Sequence, residues 1–141
     1  MSYITTDLTT GKMESLEAYR KLEKKFKRIS SLSDALALLS WDSQTIMPSG
    51  ASEVRAEQHA TKSVLRHEEI TSSLISDLLA KIDSEVLTDW QRANVREIER
   101  VYKNATALSP EIIDAHSRAR HNCETVWRTA RRDNRFDLVV A

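Results

Sequence analysis

The sequence predicts an all-α fold, because it is poor in residues that interrupt helices and its apolar residues recur at helical spacing. Among 141 residues there are only two glycines and two prolines, the residues that most often mark turns. Apolar side chains recur three or four positions apart along most of the chain, which places them on one face of a helix. We therefore expect a bundle of about six mostly antiparallel helices with short connections.

The first two predicted helices follow a polar segment. Residues 1–11 are rich in threonine, so we expect a flexible N-terminal arm there and one helical region over residues 12–141. Ser30–Asp34 contains residues that cap helices, and we expect a break at this point. Ala35–Leu39 is apolar on nearly all sides, which is typical of a buried helix. The apolar face of the first helix consists of Leu16, Tyr19, Leu22, Phe26 and Ile29.

Met47–Gly50 is the clearest predicted loop, because it combines a proline with a glycine. A third helix is expected to begin near Ser49–Ser52, and the polar segment His67–Ser73 predicts a junction after it. The fourth helix presents a strong apolar stripe formed by Leu74, Ile75, Leu78, Leu79 and Ile82.

The last two predicted helices have recognisable N-termini. Thr88 and Gln91 have the spacing of a capping box, and Ser109–Glu111 combines a capping serine, a proline and an acid. The sixth helix is expected to end at Asp133–Asn134, and the apolar residues 136–141 predict either a docked last segment or a cut in a longer protein. Its expected core face consists of Ile112, Ile113, His116, Ala119, Cys123, Val126, Trp127 and Ala130.

Composition argues against several classes of partner. Lys+Arg and Asp+Glu number 21 each, so the global charge predicts neither a nucleic-acid partner nor a membrane partner. The chain has neither the apolar length of a membrane span nor the N-terminal pattern of a signal peptide. Cys123 is the single cysteine, which excludes an internal disulfide, and we expect a cytoplasmic protein.

None of the four histidines completes the His-Glu-x-x-His motif, in which two histidines four positions apart bind zinc and the glutamate activates water. His67-Glu68 comes nearest, but Thr71 stands where the second histidine is required. We interpret His67 as a surface residue at a helix end.

His116, His121 and Cys123 do not form a predicted metal cluster. His116 and His121 differ by about 140° around a helix, and His116 and Cys123 lie about 10 Å apart along it. His121 with Glu124 would supply only two ligands, too few for a structural zinc. We expect His116 and Cys123 to face the core, where the thiol would not act as a nucleophile.

The remaining candidates have structural interpretations. The basic run Arg20–Arg28 is interrupted by Glu23, and we interpret it as a solvated helix face, not a nucleic-acid site. We expect the three tryptophans to anchor the core, not to form a stacking surface; they are Trp41, Trp90 and Trp127.

Three carboxylates lie close to the predicted loop at Met47–Gly50: Asp42, Glu53 and Glu57. They are interpreted as caps and helix-dipole partners. An alternative is that Arg55 and Glu57 belong to a structural ion-pair network.

Trp41–Pro48 reads Trp-Asp-x-x-Thr-x-Met-Pro and resembles the carboxypeptidase Taq family, in which such a stretch follows the opening helices. Further matches follow in the same order as in the family. They are Arg55-Ala56-Glu57-Gln58, His67-Glu68, the turn Ala105–Glu111, and the series Trp127, Ala130, Arg131, Asn134 and Phe136. Each match is weak alone, and together they are specific.

The resemblance implies the N-terminal part of a larger, nearly all-helical, zincin-like metallocarboxypeptidase. Members release C-terminal residues from peptides with broad specificity, use zinc, and are often homodimers. The family's zinc motif lies beyond the residues matched here, so the resemblance assigns no catalytic, cofactor-binding or metal residue to this chain. The expected partners are the remainder of the peptidase chain, peptide substrates of the full-length enzyme, and a second copy.

Two readings of the function follow, beside a third in which residues 20–28 form a basic nucleic-acid-binding helix. In the first, the chain is an N-terminal segment of such a peptidase and is inactive alone. In the second, it is a stand-alone helical interaction module from a shortened gene, which would expose apolar surface to a partner.

Overall fold

The computed structural model describes residues 3–140, which are almost entirely helical and include no β-strand. The described chain contains five α-helices: α1 (Tyr3–Thr45), α2 (Ser52–Thr71), α3 (Ser73–Leu79), α4 (Asp89–Thr106) and α5 (Pro110–Arg132). Short 3-10 helices occur at Ser49–Ala51, Ser84–Val86 and Phe136–Leu138. The all-α fold is confirmed. The count of about six helices is not confirmed, and the antiparallel packing stays a prediction.

The count differs because α1 passes through Ser30–Asp34, where the sequence predicted a break. Ser31 Oγ donates a hydrogen bond to the carbonyl oxygen of Lys27 at 3.1 Å. A serine that bonds to the carbonyl four residues back is compatible with the interior of a helix. The candidate cap residues therefore lie within one continuous helix.

Two helix boundaries also lie outside the predicted limits. α1 begins at Tyr3, within the segment expected to be an arm, and the flexibility of residues 1–11 stays a prediction. α2 continues to Thr71 through most of the predicted polar junction, so only Ser72 separates it from α3.

The capping signals are confirmed. Gln91 N donates to Thr88 Oγ1 at 3.3 Å, and Thr88 N donates to Gln91 Oε1 at 2.9 Å, which is a reciprocal capping box. Ser109 Oγ accepts a hydrogen bond from Ile112 N at 3.4 Å at the start of α5. Both helices thus begin where the sequence predicts.

The chain divides into two compact units, and each unit combines two separate stretches of sequence. The first unit comprises Met1–Ser31 and Glu68–Ala107, and the second comprises Leu32–His67 and Leu108–Ala141. α1 and α2 each contribute residues to both units.

The first unit has an apolar core built from the inward faces of its helices. Leu22 and Ile75 are fully buried there. Asn94 Nδ2 donates to Tyr19 Oη at 3.0 Å, and Asp83 N donates to Ser15 Oγ at 2.9 Å, so the polar groups at its edge are also paired. The buried cluster consists of Ala18, Leu22, Ile29, Ile70, Ile75, Leu78 and Ile98.

The second unit has a mostly polar interior. Among its described side chains the only buried ones besides alanines are Ser43, His67 and His121. Arg66 Nε donates to Ser33 Oγ at 2.6 Å. The predicted burial of Ala35–Leu39 is wrong, because Leu38 is 69% exposed.

Candidate functional site

The residues of the Trp-Asp and Arg-Ala-Glu-Gln motifs meet in the second unit. Arg55 Nη2 of α2 lies 2.5 Å from Asp42 Oδ2 of α1, and Arg55 Nη1 donates to Gln58 Oε1 at 2.5 Å. The side chains of Arg55 and Asp42 are only 21% and 25% exposed. An ion pair this deep fixes where α2 lies against the end of α1, so the two motifs form one structural unit.

Arg128 of α5 binds the same end of α1, because its Nη1 donates to the carbonyl oxygen of Ser43. Four buried atoms of this cluster have no hydrogen-bond partner among the described residues: Asp42 Oδ2, Ser43 Oγ, Arg55 Nε and Arg128 Nη2. Of these, Asp42 Oδ2 has the ion pair with Arg55. An unsatisfied buried polar group costs about 1–3 kcal/mol. The polar interior of the second unit is therefore held together at some expense in stability.

His121 lies at the centre of a second polar layer, between α2 and α5. It is 4% exposed, and its Nε2 lies 3.3 Å from Ser52 Oγ, which also lies 3.4 Å from Thr125 Oγ1. The ring of His59 is tilted against that of His121, with 6.0 Å between their centroids. Burial lowers the pKa of His59 below its usual 6.5, although a hydrogen bond with the backbone of Leu39 opposes this shift.

A third polar group lies on the solvent side of α2 and α5. Arg118 Nη1 lies 2.7 Å from Glu57 Oε2, and its Nε lies 3.0 Å from Asp114 Oδ2. The hydrogen bond from Arg118 lowers the pKa of the Glu57 carboxyl. A general acid needs a raised pKa, so this carboxylate is suited to an ion pair and not to proton transfer.

An open groove of about 660 Å³ runs beside this ion pair. Its lining includes Ser52, Glu53, Gln58 and Asn122. The lining is mixed, because it also includes the apolar side chains of Val54 and Ala56.

α5 faces the opposite way from the prediction. His116 and Cys123 were expected to face the core, but both are exposed, and His121 is buried in their place. The reason is that polar side chains on the inward face of α5 find partners on α1 and α2. Ser117 Oγ, for example, lies 3.3 Å from Ser63 Oγ.

Most apolar residues of α5 therefore lie on its exposed side, within an arc of about 120°. We call this surface the outer stripe, and it consists of Ile112, Ala115, Ala119, Cys123, Val126 and Trp127. Ile113 is half-buried, and Ala130 is buried as the sequence predicts. Because Cys123 is exposed on the outer stripe, burial no longer argues against its thiol as a nucleophile.

Two other expectations about burial are wrong. His67 is 5% exposed, because α2 does not end beside it and its side chain shares the inward face with Ala60. The three tryptophans do not anchor the core of either unit. Trp90 is 75% exposed, and Trp41 and Trp127 are about half exposed.

The charged candidates are largely engaged in ion pairs. In the basic run, Lys21 lies 2.7 Å from Glu17, and Lys25 and Arg28 both bind Glu69. The hydrogen bond from Lys25 lowers the pKa of Glu69. Three of the six cations in the run thus pair with two carboxylates, and Lys25 is mostly sheltered from water.

The carboxylates near the loop have divided roles. Glu53 lies in the first turn of α2, as a helix-dipole partner would. Asp42 and Glu57 each bind an arginine, so the alternative of a structural network describes them better. Arg55 pairs with Asp42 and not with Glu57.

The donor groups of residues 3–140 do not fit the zinc centre of a metallopeptidase. Such a centre needs at least three protein ligands around one ion, and no group of three His, Cys, Asp or Glu side chains gathers in this part of the chain. None of the helices described here is long and apolar enough to cross a membrane.

Several residues of the polar layers were not singled out from the sequence, including Ser43, Ser52, Arg118 and Arg128. The sequence of α5 does contain a pattern that indicates its polar face, because polar residues recur there at helical spacing: Ser117, His121, Thr125 and Arg128. The apolar series on the same helix is equally regular. Periodicity alone therefore could not decide which of the two faces turns inward.

Comparison with known proteins adds a family match. A model of the carboxypeptidase Taq (M32) metallopeptidases matches residues 21–141. Thermostable carboxypeptidase 1 of Thermus thermophilus is 29% identical over 118 residues, which cover 81% of this chain and 23% of that protein. Thermostable carboxypeptidase 1 of Pyrococcus furiosus is 27% identical over 121 residues, which cover 85% of this chain and 24% of that protein. No solved structure matches the chain.

Proposed function

Because the chain belongs to the carboxypeptidase Taq family of metallopeptidases, we propose that it is a helical segment of a zinc-dependent carboxypeptidase that releases C-terminal residues from peptides. The family match over residues 21–141 is the observation that carries this proposal. The chain spans about a quarter of the length of the curated relatives it matches. The activity, the zinc ion and the peptide substrates are therefore proposed for the whole enzyme.

We infer that the segment itself has a scaffolding role. The motif residues support this role, since Asp42 and Arg55 bind each other across two helices and offer no free carboxylate. The donor set of residues 3–140 also does not fit zinc. The ligands and the general base would come from other parts of a family enzyme, so these 141 residues are inactive alone.

The outer stripe of α5 supports a partner in the remainder of such an enzyme. Contiguous apolar surface that stays exposed usually marks an interface. The relatives carry about three quarters of their length outside the matched residues. We propose that this additional chain covers Val126, Trp127 and the rest of the stripe.

A chimera tests the scaffolding role. The matched residues of the Thermus thermophilus relative are replaced by those of this chain, and release of the C-terminal residue from a blocked dipeptide is measured with zinc present. We expect the chimera to fold and to keep activity, and a Trp127→Asp version to lose both. Replacing the equally large but separate Trp90 by Asp is the matched control, and it should be tolerated.

The isolated chain provides the second arm of the experiment. It should release no residue from the same dipeptide and bind no stoichiometric zinc. Peptidase activity with one bound zinc per chain would contradict the proposed inactivity. A well-folded but inactive chimera would contradict the scaffolding role.

The alternative is a stand-alone interaction module, and the exposed outer stripe favours it as well. Such a module would bind a separate polypeptide through Ile112, Val126 and Trp127. Stable co-purification of one defined partner from the native host, abolished by Trp127→Asp, would favour this alternative. Cytoplasmic location and a homodimer stay predictions under either function.

A further inference from the structure

His59 and the buried His121 form a histidine layer in the second unit, and the scaffolding function gives this layer no role. His121 is almost completely buried on the inward face of α5, and its ring is 6.0 Å from that of His59 on α2. Ser52 Oγ lies within 3.4 Å of both His121 Nε2 and Thr125 Oγ1. The helices α2 and α5 therefore meet through imidazole rings and hydroxyls, where most helix pairs meet through aliphatic side chains.

Few groups near the pair can compensate a positive charge. On α5, Glu124 favours the charged form of His59, but Arg120 opposes it and binds Glu124 at 2.8 Å. From α1, the backbone of Leu39 forms a hydrogen bond with His59. From α2, Ser52 is the polar group against His121. Among the described residues, Glu124 is thus the carboxylate that acts on His59, and it is already held by Arg120.

We propose that this histidine layer is an acid-sensitive latch, which joins α5 to α2 at neutral pH and releases it when the layer takes up a proton. Charging the partly buried ring of His59 would place a cation beside the almost completely buried ring of His121. Burying an unpaired charge is far more costly than burying a neutral ring. Release of α5 exposes the layer to water and removes this cost.

The lowered pKa of His59 sets the direction of the effect. Its value in the folded chain lies below 6.5, so the unfolded chain binds the proton more readily. The contribution of His59 to stability is complete above about pH 6.5 and is lost as the pH falls through the lowered value. The latch therefore opens on the acid side of neutrality.

The opening should be confined to the second unit. The first unit is held by Leu22, Ile75 and other aliphatic side chains, which do not titrate. Its best-buried ion pairs use Glu69, whose pKa is lowered by the hydrogen bond from Lys25, so these pairs resist acid.

Hydrogen exchange of the whole chain, followed by mass spectrometry between about pH 5 and 7.5 and corrected for the intrinsic pH dependence, tests the proposal. We expect protection in residues 52–67 and 110–132 to be lost toward low pH. Protection in residues 15–29 and 89–105 should remain. Unchanged protection of α5 at low pH, or simultaneous loss in both units, would overturn the proposal.

Matched histidine variants identify the responsible group. His59→Gln keeps a hydrogen-bond donor for Leu39 but does not titrate in this range, so α5 should stay protected at low pH. The control variant His116→Gln removes an exposed histidine of α5, and it should behave like the unchanged chain. If His59→Gln does not fold at neutral pH, the proton NMR titration of the His59 ring replaces it. If the midpoint of this titration does not coincide with the pH at which α5 loses protection, the proposal is contradicted.

Discussion

Single residues of this chain show how strongly burial changes the value of an ion pair. Asp42 and Arg55 form a pair that is mostly sheltered from water, whereas Glu97 and Arg100 form a pair of similar length that is about 60% exposed. Exposed pairs contribute little, because water and salt screen their attraction. Sheltered pairs matter more, because removing one partner leaves the other charge without compensation.

Arg55→Ala should therefore lower the free energy of unfolding by roughly 2–3 kcal/mol, since it leaves Asp42 uncompensated in a partly buried site. Arg100→Ala should leave the stability nearly unchanged. Urea unfolding followed by circular dichroism measures both variants. Equal effects of the two substitutions would contradict the structural importance given to the Asp42–Arg55 pair.

At the scale of the element, the end of α5 is set by one residue with an unusual backbone. Asn134 has a φ of 55°, and Arg135 N donates to the carbonyl oxygen of Ala130 at 2.8 Å. This is the pattern of a helix that closes with a left-handed residue just beyond its last turn. Asparagine and glycine adopt that conformation readily, and β-branched residues do not.

Asn134→Val should destabilise the chain by about 1–2 kcal/mol, the cost of forcing an ordinary side chain into the left-handed region. Asn134→Gly should leave the stability unchanged or raise it, because glycine adopts positive φ without strain. Thermal unfolding of the two variants provides the comparison. A valine variant as stable as the glycine variant would show that this turn does not depend on its backbone conformation.

The helix termini also show what the sequence could and could not predict. The capping residue Thr88 before α4 and the left-handed residue Asn134 beyond α5 follow from local chemistry, so the sequence predicts both helix ends correctly. The orientation of α5 depends on Ser52, Ser63 and the end of α1, which are distant in sequence. Local periodicity shows that α5 has an apolar and a polar face, and only the tertiary contacts decide that His121 turns inward.

On the scale of the whole molecule, the two units use different physics. The first is stabilised by aliphatic burial around Leu22, and the second by hydrogen bonds and ion pairs around His121 and Arg55. The sequence predicted the first core well, because Tyr19, Leu22 and Ile29 recur at helical spacing. It did not predict the second, because Leu38 and Trp41 have the same spacing and lie exposed.

Leu22→Ala should cost about 2–5 kcal/mol, because it leaves a cavity at a fully buried site. Leu38→Ala should cost much less in the isolated chain, since Leu38 is 69% exposed. Chemical denaturation measures both. A large loss of stability at Leu38 would mean that this side chain is covered, for instance by association of the chain with another copy.

Because each unit combines two separate stretches of sequence, the two units are completed in a fixed order during translation. Residues 32–67 leave the ribosome before residues 68–107, yet their partners on α5 come after both. The first unit has all its core residues once Ile98 has emerged, whereas the second unit still lacks His121 and Arg128. A nascent chain can thus complete its aliphatic unit while the polar unit is still unfinished. Residues 32–67 therefore lack their partners, with Ser43 and Ser52 unpaired to α5, until translation supplies the helix that carries Arg128 and His121.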